Sequence, residues 1–200
     1  MNDAAGTAAG PPELPPGVAH RPGWLAPAAA AALQARCEAE FEFAAHRVRL
    51  FGREHWTPRE TAFVAPIGVR YRYSGHEHRG SGLPPWLEAL RARLAEELGV
   101  PFTSILATRY RSGADRVGWH ADDERALGAD PVVAVLSLGA RRDLCFRPRG
   151  ARQRWRVPLA NGDLLIMGAG VQRRLEHALP ARAGAGPRLS LSFRPHADGP

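Results

Sequence analysis

One short stretch of this chain, His120-Ala121-Asp122, has the residue types and spacing of a metal bite. In extended backbone, side chains at i and i+2 project to the same face about 6.5 Å apart, so this imidazole and carboxylate can close on one small cation. A second histidine far downstream, His177, completes two imidazoles and one carboxylate. That set leaves open positions on a non-haem Fe(II) for substrate and oxygen. A lone His-x-Asp is common and by itself selects for nothing. This one is followed, beyond His177, by Arg188-Leu-Ser-Leu-Ser-Phe-Arg194, whose even separation puts two guanidiniums on one face of a strand.

The elements that must position these residues are short. After Gly99 the sequence breaks into brief apolar runs separated by Gly, Pro and charged turns, at about 102–111, 117–122, 132–138, 142–148, 153–158, 163–168, 174–179 and 187–195. Such spacing predicts a β-barrel or sandwich. The continuous apolar runs 132–138 and 164–167 are expected to be buried on both faces. Upstream, Pro27 opens an alanine-rich helix to about Glu42. Pro84-Pro85 opens a second, with Leu87, Leu90, Leu94 and Leu98 on one face and Gly99 as its stop. Between them, 46–51 alternates as a half-buried strand, and about 62–73 reads as one or two strands closed by Ser74-Gly75. Residues 1–23 are rich in proline with little to bury, so a disordered or loosely attached lead is expected. His76-Glu77-His78 reads as a solvated loop.

The chain has 200 residues, enough for one domain with a sizeable core. Its 27 basic against 20 acidic residues give a formal net charge of +7, and the basic charge is arginine, whose planar fork suits phosphates and carboxylates. A polyanionic partner fits this balance. Cys37 and Cys145 are too few for a disulfide framework or a four-thiolate zinc site, which fits a reducing cytoplasm. The amino-terminal stretch lacks the pattern of a secretory signal, and no apolar run is long enough for a membrane span.

Taken together, Phe51-Gly52, Pro58-Arg59, Tyr71-Arg72-Tyr73-Ser74-Gly75, Arg109-Tyr110, Gly118-Trp119-His120-Ala121-Asp122-Asp123-Glu124, Leu136-Ser137-Leu138-Gly139-Ala140, Gly162-Asp163-Leu164, His177 and Arg188 to Arg194 form an ordered series. This series, from about Leu50 to Arg194, resembles the AlkB family of Fe(II)- and 2-oxoglutarate-dependent dioxygenases. The resemblance implies a mainly β fold with flanking helices (α+β) around a double-stranded β-helix, a cupin-like jelly roll whose open mouth holds the metal. It implies a single dioxygenase domain over 24–200, with helices and nucleotide-recognition strands in 24–101 and the barrel core in 102–196. His120, Asp122 and His177 become the iron ligands. Arg188 and Arg194 grip the carboxylates of 2-oxoglutarate, as guanidiniums do through paired charge-assisted hydrogen bonds, and Tyr110 adds a hydroxyl.

Two positions depart from the family pattern. Thr108 and Ser190 stand where asparagine is usual, keeping a hydroxyl but losing an amide donor. For the substrate, the resemblance places Tyr73 against a flipped-out base with Glu124 nearby, and both suit a base made cationic by ring-nitrogen methylation. Tyr71 joins that substrate group, Phe51 corresponds to an apolar finger that wedges into the vacated stack, and Arg59 positions phosphate, as do Arg53, Arg79, Arg141 and Arg142. The implied activity is oxidative removal of N-alkyl groups of the 1-methyladenine and 3-methylcytosine type from DNA, using Fe(II), 2-oxoglutarate and O2 and releasing formaldehyde, succinate and CO2, in a cytoplasmic monomer. The alternatives are the same chemistry on RNA, protein or a small molecule, or a non-catalytic nucleic-acid-binding module.

Overall fold

Alternation along four central strands builds the molecule. In the computed structural model, which describes residues 13–50, 52–73 and 76–196, these strands are β7 (Ser104–Tyr110), β9 (Val133–Gly139), β12 (Leu164–Met167) and β14 (Arg188–Arg194). They form the middle of a six-stranded antiparallel sheet, edged by β1 (Val18–Arg21) and β4 (Glu60–Val64), in the order β1-β12-β9-β14-β7-β4. A four-stranded sheet faces it, β11 (Trp155–Leu159), β10 (Arg142–Pro148), β13 (Leu175–Leu179) and β8 (Val117–His120). The pair makes a jelly-roll sandwich.

Because successive side chains alternate between faces, the large sheet serves two cores. Ala134, Leu136, Leu138, Leu189, Leu191 and Phe193 pack outward with helices α1 (Pro27–Glu40) and α2 (Pro85–Leu98). Val133, Val135, Leu165 and Met167 pack inward against Leu144, Phe146, Trp155 and Val157 of the small sheet. This explains the unbroken apolar runs: β9 and β12 are covered on both sides. In α2, Leu87 and Leu94 are fully buried, and Gly99, at φ 64°, ends the helix with its N–H on the Ala95 carbonyl.

Three expectations need correction. Residues 13–23 of the lead are not loose: β1 pairs residue by residue with β12. The Asp163 carboxylate also holds the Gly23 N–H at 2.8 Å and His20 at 3.0 Å. Residues 1–12 lie outside the described residues. The His76-Glu77-His78 stretch is a strand, β6 (His76–Arg79), paired with β5 (Arg70–Tyr73). A second hairpin joins β2 (Arg47–Leu50) to β3 (Arg53–Trp56); the sequence pattern marked only its first strand. Finally, β4 belongs to the large sheet, so the core begins upstream of residue 102.

Candidate metal centre and co-substrate pocket

The sandwich brings two distant histidines into register. His120, the last residue of β8, is the cross-strand partner of His177 on β13, and their ring centroids are 4.2 Å apart. Asp122 lies just past the end of β8 rather than on it. Its position is fixed from the side: its N–H donates to the Gln172 side chain at 3.0 Å, and Gln172 sits on the short helix α3 (Val171–Arg174). The ligand atoms of His120, Asp122 and His177 all lie within 4.8 Å of one another.

This donor set fits a divalent iron. His120 donates Nδ1–H to the Gly118 carbonyl at 2.9 Å, which turns its other nitrogen to the cluster. His177 Nε2 and Asp122 Oδ2 are 3.8 Å apart, beyond hydrogen-bond reach but suited to two ligands sharing one ion. Burial, helped by the neighbouring His120, pulls the His177 imidazole down to about 3, so it is neutral as a ligand must be. Burial opposes ionisation of Asp122, yet Arg194 and the two histidines hold its carboxyl below the usual range. Asp122 and His177 are buried and His120 is half-buried.

A cavity of about 520 Å³, including its open side, extends from these three residues. The same alternation that sends Leu189, Leu191 and Phe193 outward turns Arg188, Ser190, Ser192 and Arg194 into it. Leu106, Thr108 and Tyr110 of β7 join them. The two arginines do different things. Arg194 donates to Asp122 Oδ1 at 2.5 Å and to the Tyr71 hydroxyl at 2.9 Å, so it marks the metal end. Arg188 lies at the other end of the strand, donating to Ser137 Oγ at 3.2 Å, with its guanidinium 5.3 Å from the Tyr110 ring centre. Burial pulls Arg188 down to about 10, a level at which it is still a cation at neutral pH. Thr108 and Ser190 are cross-strand partners on the cavity face.

The residues expected to meet substrate are divided. Tyr71 is buried, and burial pushes its hydroxyl well above the usual range. Glu124 lies against that hydroxyl. Its Oε2 is buried with no hydrogen-bond partner among the described residues, and burial raises its carboxyl. Arg59 is buried and lines the cavity, instead of standing on an outer phosphate-facing surface. Arg142 is fully buried and does not face a phosphate either, whereas Arg53, Arg79 and Arg141 are exposed. Phe51 and the side chain of Tyr73 lie outside the described residues. Sequence reasoning missed Gln172, Ser137 and the Arg194–Asp122 contact. Only Ser137 left a signal, a hydroxyl at an inward-facing position of an otherwise apolar strand.

Comparison with known proteins agrees with this geometry. The sequence profile of the 2OG-Fe(II) oxygenase superfamily matches residues 17–194. The DNA oxidative demethylase ALKBH2 of Mus musculus is 37% identical over 163 residues, covering 77% of this chain and 68% of that protein. ALKBH2 of Arabidopsis thaliana is 33% identical, covering 74% and 56%. The alpha-ketoglutarate-dependent dioxygenase alkB homolog 3 of Homo sapiens is 37% identical, covering 68% and 51%. The chain thus spans between about half and two thirds of the length of these relatives. Among solved structures, OsALKBH1 superposes with a TM-score of 0.64 at 17% identity, covering 92% of this chain and 99% of that one, a likeness of fold.

Proposed function

The chain belongs to the AlkB family of Fe(II)- and 2-oxoglutarate-dependent dioxygenases, and from that premise we propose that it oxidatively removes N-alkyl groups, of the 1-methyladenine and 3-methylcytosine type, from DNA. The observation that carries the reading is the convergence of His120, Asp122 and His177 at one end of a cavity whose wall runs on to the buried Arg188. Relatives named DNA oxidative demethylase support the choice of DNA.

Fe(II), with 2-oxoglutarate and O2, supplies the oxidation that turns an N-methyl group into a hydroxymethyl group, lost as formaldehyde while the oxoacid becomes succinate and CO2. The protein's part is binding and orientation. His120, Asp122 and His177 hold the metal. Arg194 fixes the Asp122 carboxylate and lies ready for the oxoacid group bound beside it. Arg188 takes the carboxylate at the far end, with Tyr110 and the Thr108 and Ser190 hydroxyls lining the middle. Ser137 keeps the Arg188 guanidinium from swinging away. Near the metal, Glu124 offers a buried carboxylate oxygen to a cationic base, and the Tyr71 hydroxyl is held between Glu124 and Arg194. Tyr73 supplies a stacking face and Phe51 the wedge, and Arg59 steadies the nucleotide from within the pocket wall.

The enzyme acts as a monomer in the reducing cytoplasm, where the buried free thiols of Cys37 and Cys145 are stable. Formaldehyde release decides the substrate. The Fe(II)-loaded protein, given 2-oxoglutarate and O2, releases it from a DNA oligonucleotide carrying one 1-methyladenine. Release from a methylated peptide and not from the oligonucleotide would refute the reading.

A further inference from the structure

Arg142, the first residue of β10, carries a positive charge into the interior with no ion pair among the described residues. Its side chain is fully buried. Nη2 donates to the backbone carbonyls of Asp115 at 2.8 Å and Pro180 at 2.6 Å, and Nη1 reaches that of Ser112 at 3.4 Å. Nε has no hydrogen-bond partner among the described residues. The nearby acids are engaged elsewhere: Asp115 pairs with Arg111, and Asp143 with Arg156 and Arg182. No carboxylate among the described residues reaches ion-pair distance of Arg142, and the same is true of Arg188.

These two cations share a neighbour. The Arg142 guanidinium lies 5.8 Å from the Tyr110 ring centre and that of Arg188 lies 5.3 Å from it. Leu144, two residues along β10 and so on the same face as Arg142, lines the cavity with Tyr110 and Arg188. Burial depresses both guanidiniums, and Arg142 is among the groups that pull Arg188 down further. Two buried like charges with no carboxylate among the described residues at ion-pair distance are costly in a medium of low dielectric. An arriving carboxylate relieves that cost.

We infer that Arg142 is a specificity-determining residue, supplying a second positive charge at the Arg188 end of the cavity and thereby selecting 2-oxoacids that carry a carboxylate at their far end. The inference rests on the reading above that the far carboxylate binds at Arg188. It differs from a purely structural role, in which Arg142 would only clamp the segment 112–115 against Pro180. That clamp has other members, for Gly113 and Ala185 are already joined through their backbones at 2.8 Å.

The test is anaerobic calorimetric titration of the Mn(II)-loaded protein with 2-oxoglutarate and with 2-oxopentanoate, which replaces the far carboxylate by a methyl group. Thermal unfolding of each variant checks its fold. Arg142→Gln is expected to weaken 2-oxoglutarate about tenfold and leave 2-oxopentanoate unchanged, as loss of one cation at this range implies. Arg142→Lys, which keeps the charge but cannot reproduce the three carbonyl contacts, is expected to keep the preference for the diacid. Equal weakening of both oxoacids in Arg142→Gln, or no change in either, overturns the inference. If Arg142→Gln fails to fold, Arg142→Lys decides, and loss of the diacid preference there overturns it. Arg188→Gln separates the two levels: if it leaves both oxoacids unaffected, the placement of the far carboxylate has failed, not the role of Arg142.

Discussion

Thr108 and Ser190 show what individual residues decide in this pocket. They depart from the asparagines usual in the family, and in the fold they are directly opposite one another on β7 and β14, both facing the cavity. An amide restored at either position adds a donor, and one hydrogen bond contributes about 0.5–1.5 kcal/mol, hence roughly a few-fold to tenfold in affinity. Thr108→Asn and Ser190→Asn are each expected to tighten 2-oxoglutarate binding by that much. Cross-strand partners compete for the same space, so the double variant gains less than the product of the two. Anaerobic titration with Mn(II) in place of iron reads this directly, and equal or weaker binding in every variant means that the hydroxyls, or water beside them, already fill the gap. At this scale the sequence was most legible where chemistry dictates residue type. The pair His120 and Asp122 stood out by spacing and the family resemblance supplied His177, and the fold brings the three together. Arg59 and Arg142 could not be placed, because an arginine in a basic chain looks the same whether it is solvated or buried.

At the scale of elements, short apolar runs set off by Gly, Pro and charged turns made the eight strands of 102–195 legible almost to their ends, and helix α2 was marked by its leucines and Gly99. The strands that escaped notice are those that tertiary pairing creates. Strand β6 is polar throughout and exists because β5 pairs with it. Strand β1 lies between Pro-Gly pairs and is held by β12 and by Asp163. Burial disfavours the Asp163 carboxylate, but the backbone N–H groups of Ala160 and Gly23 and the His20 ring outweigh it and hold its carboxyl below the ordinary range. A carboxyl depressed in the folded state contributes stability that is present above its unfolded value, about 3.9, and is lost as pH falls through the folded value. Asp163→Asn is therefore expected to destabilise the protein at pH 7 by about 1–3 kcal/mol. The difference from wild type should shrink as pH drops below about 4. Urea unfolding of both proteins across that range measures it, and a gap independent of pH would mean that the carboxylate charge plays no part in anchoring β1.

For the whole molecule, the net charge of +7 gains meaning from where its arginines stand. Many are paired with acids on the surface, such as Arg147 with Glu176 and Arg149 with Asp123, and Arg142 and Arg188 are spent inside. Arg53, Arg141, Arg152 and Arg154 are exposed. Contacts from such residues to phosphates release condensed counterions, so affinity for an oligonucleotide is expected to fall at least roughly tenfold between about 50 and 200 mM salt. Fluorescence anisotropy across that range checks this, and a flat response would leave DNA without its electrostatic hold. Overall charge alone could not have distinguished nucleic acid from plain solubility; the metal and oxoacid residues narrow the choice by fixing the chemistry.

In the proposed function, His120, Asp122 and His177 serve one metal that oxidises an N-methyl group on DNA. Asp122→Asn tests it with little change of volume, removing the anionic ligand while leaving an oxygen for Arg194. The measurement is the intact mass of an oligonucleotide carrying one 1-methyladenine, after incubation with Fe(II), 2-oxoglutarate and O2 and either wild-type or Asp122→Asn protein. The wild type is expected to remove the mass of one CH2 unit, while Asp122→Asn leaves the oligonucleotide unchanged. An unchanged mass with the wild type while it converts 2-oxoglutarate to succinate, or full demethylation by Asp122→Asn, would contradict it.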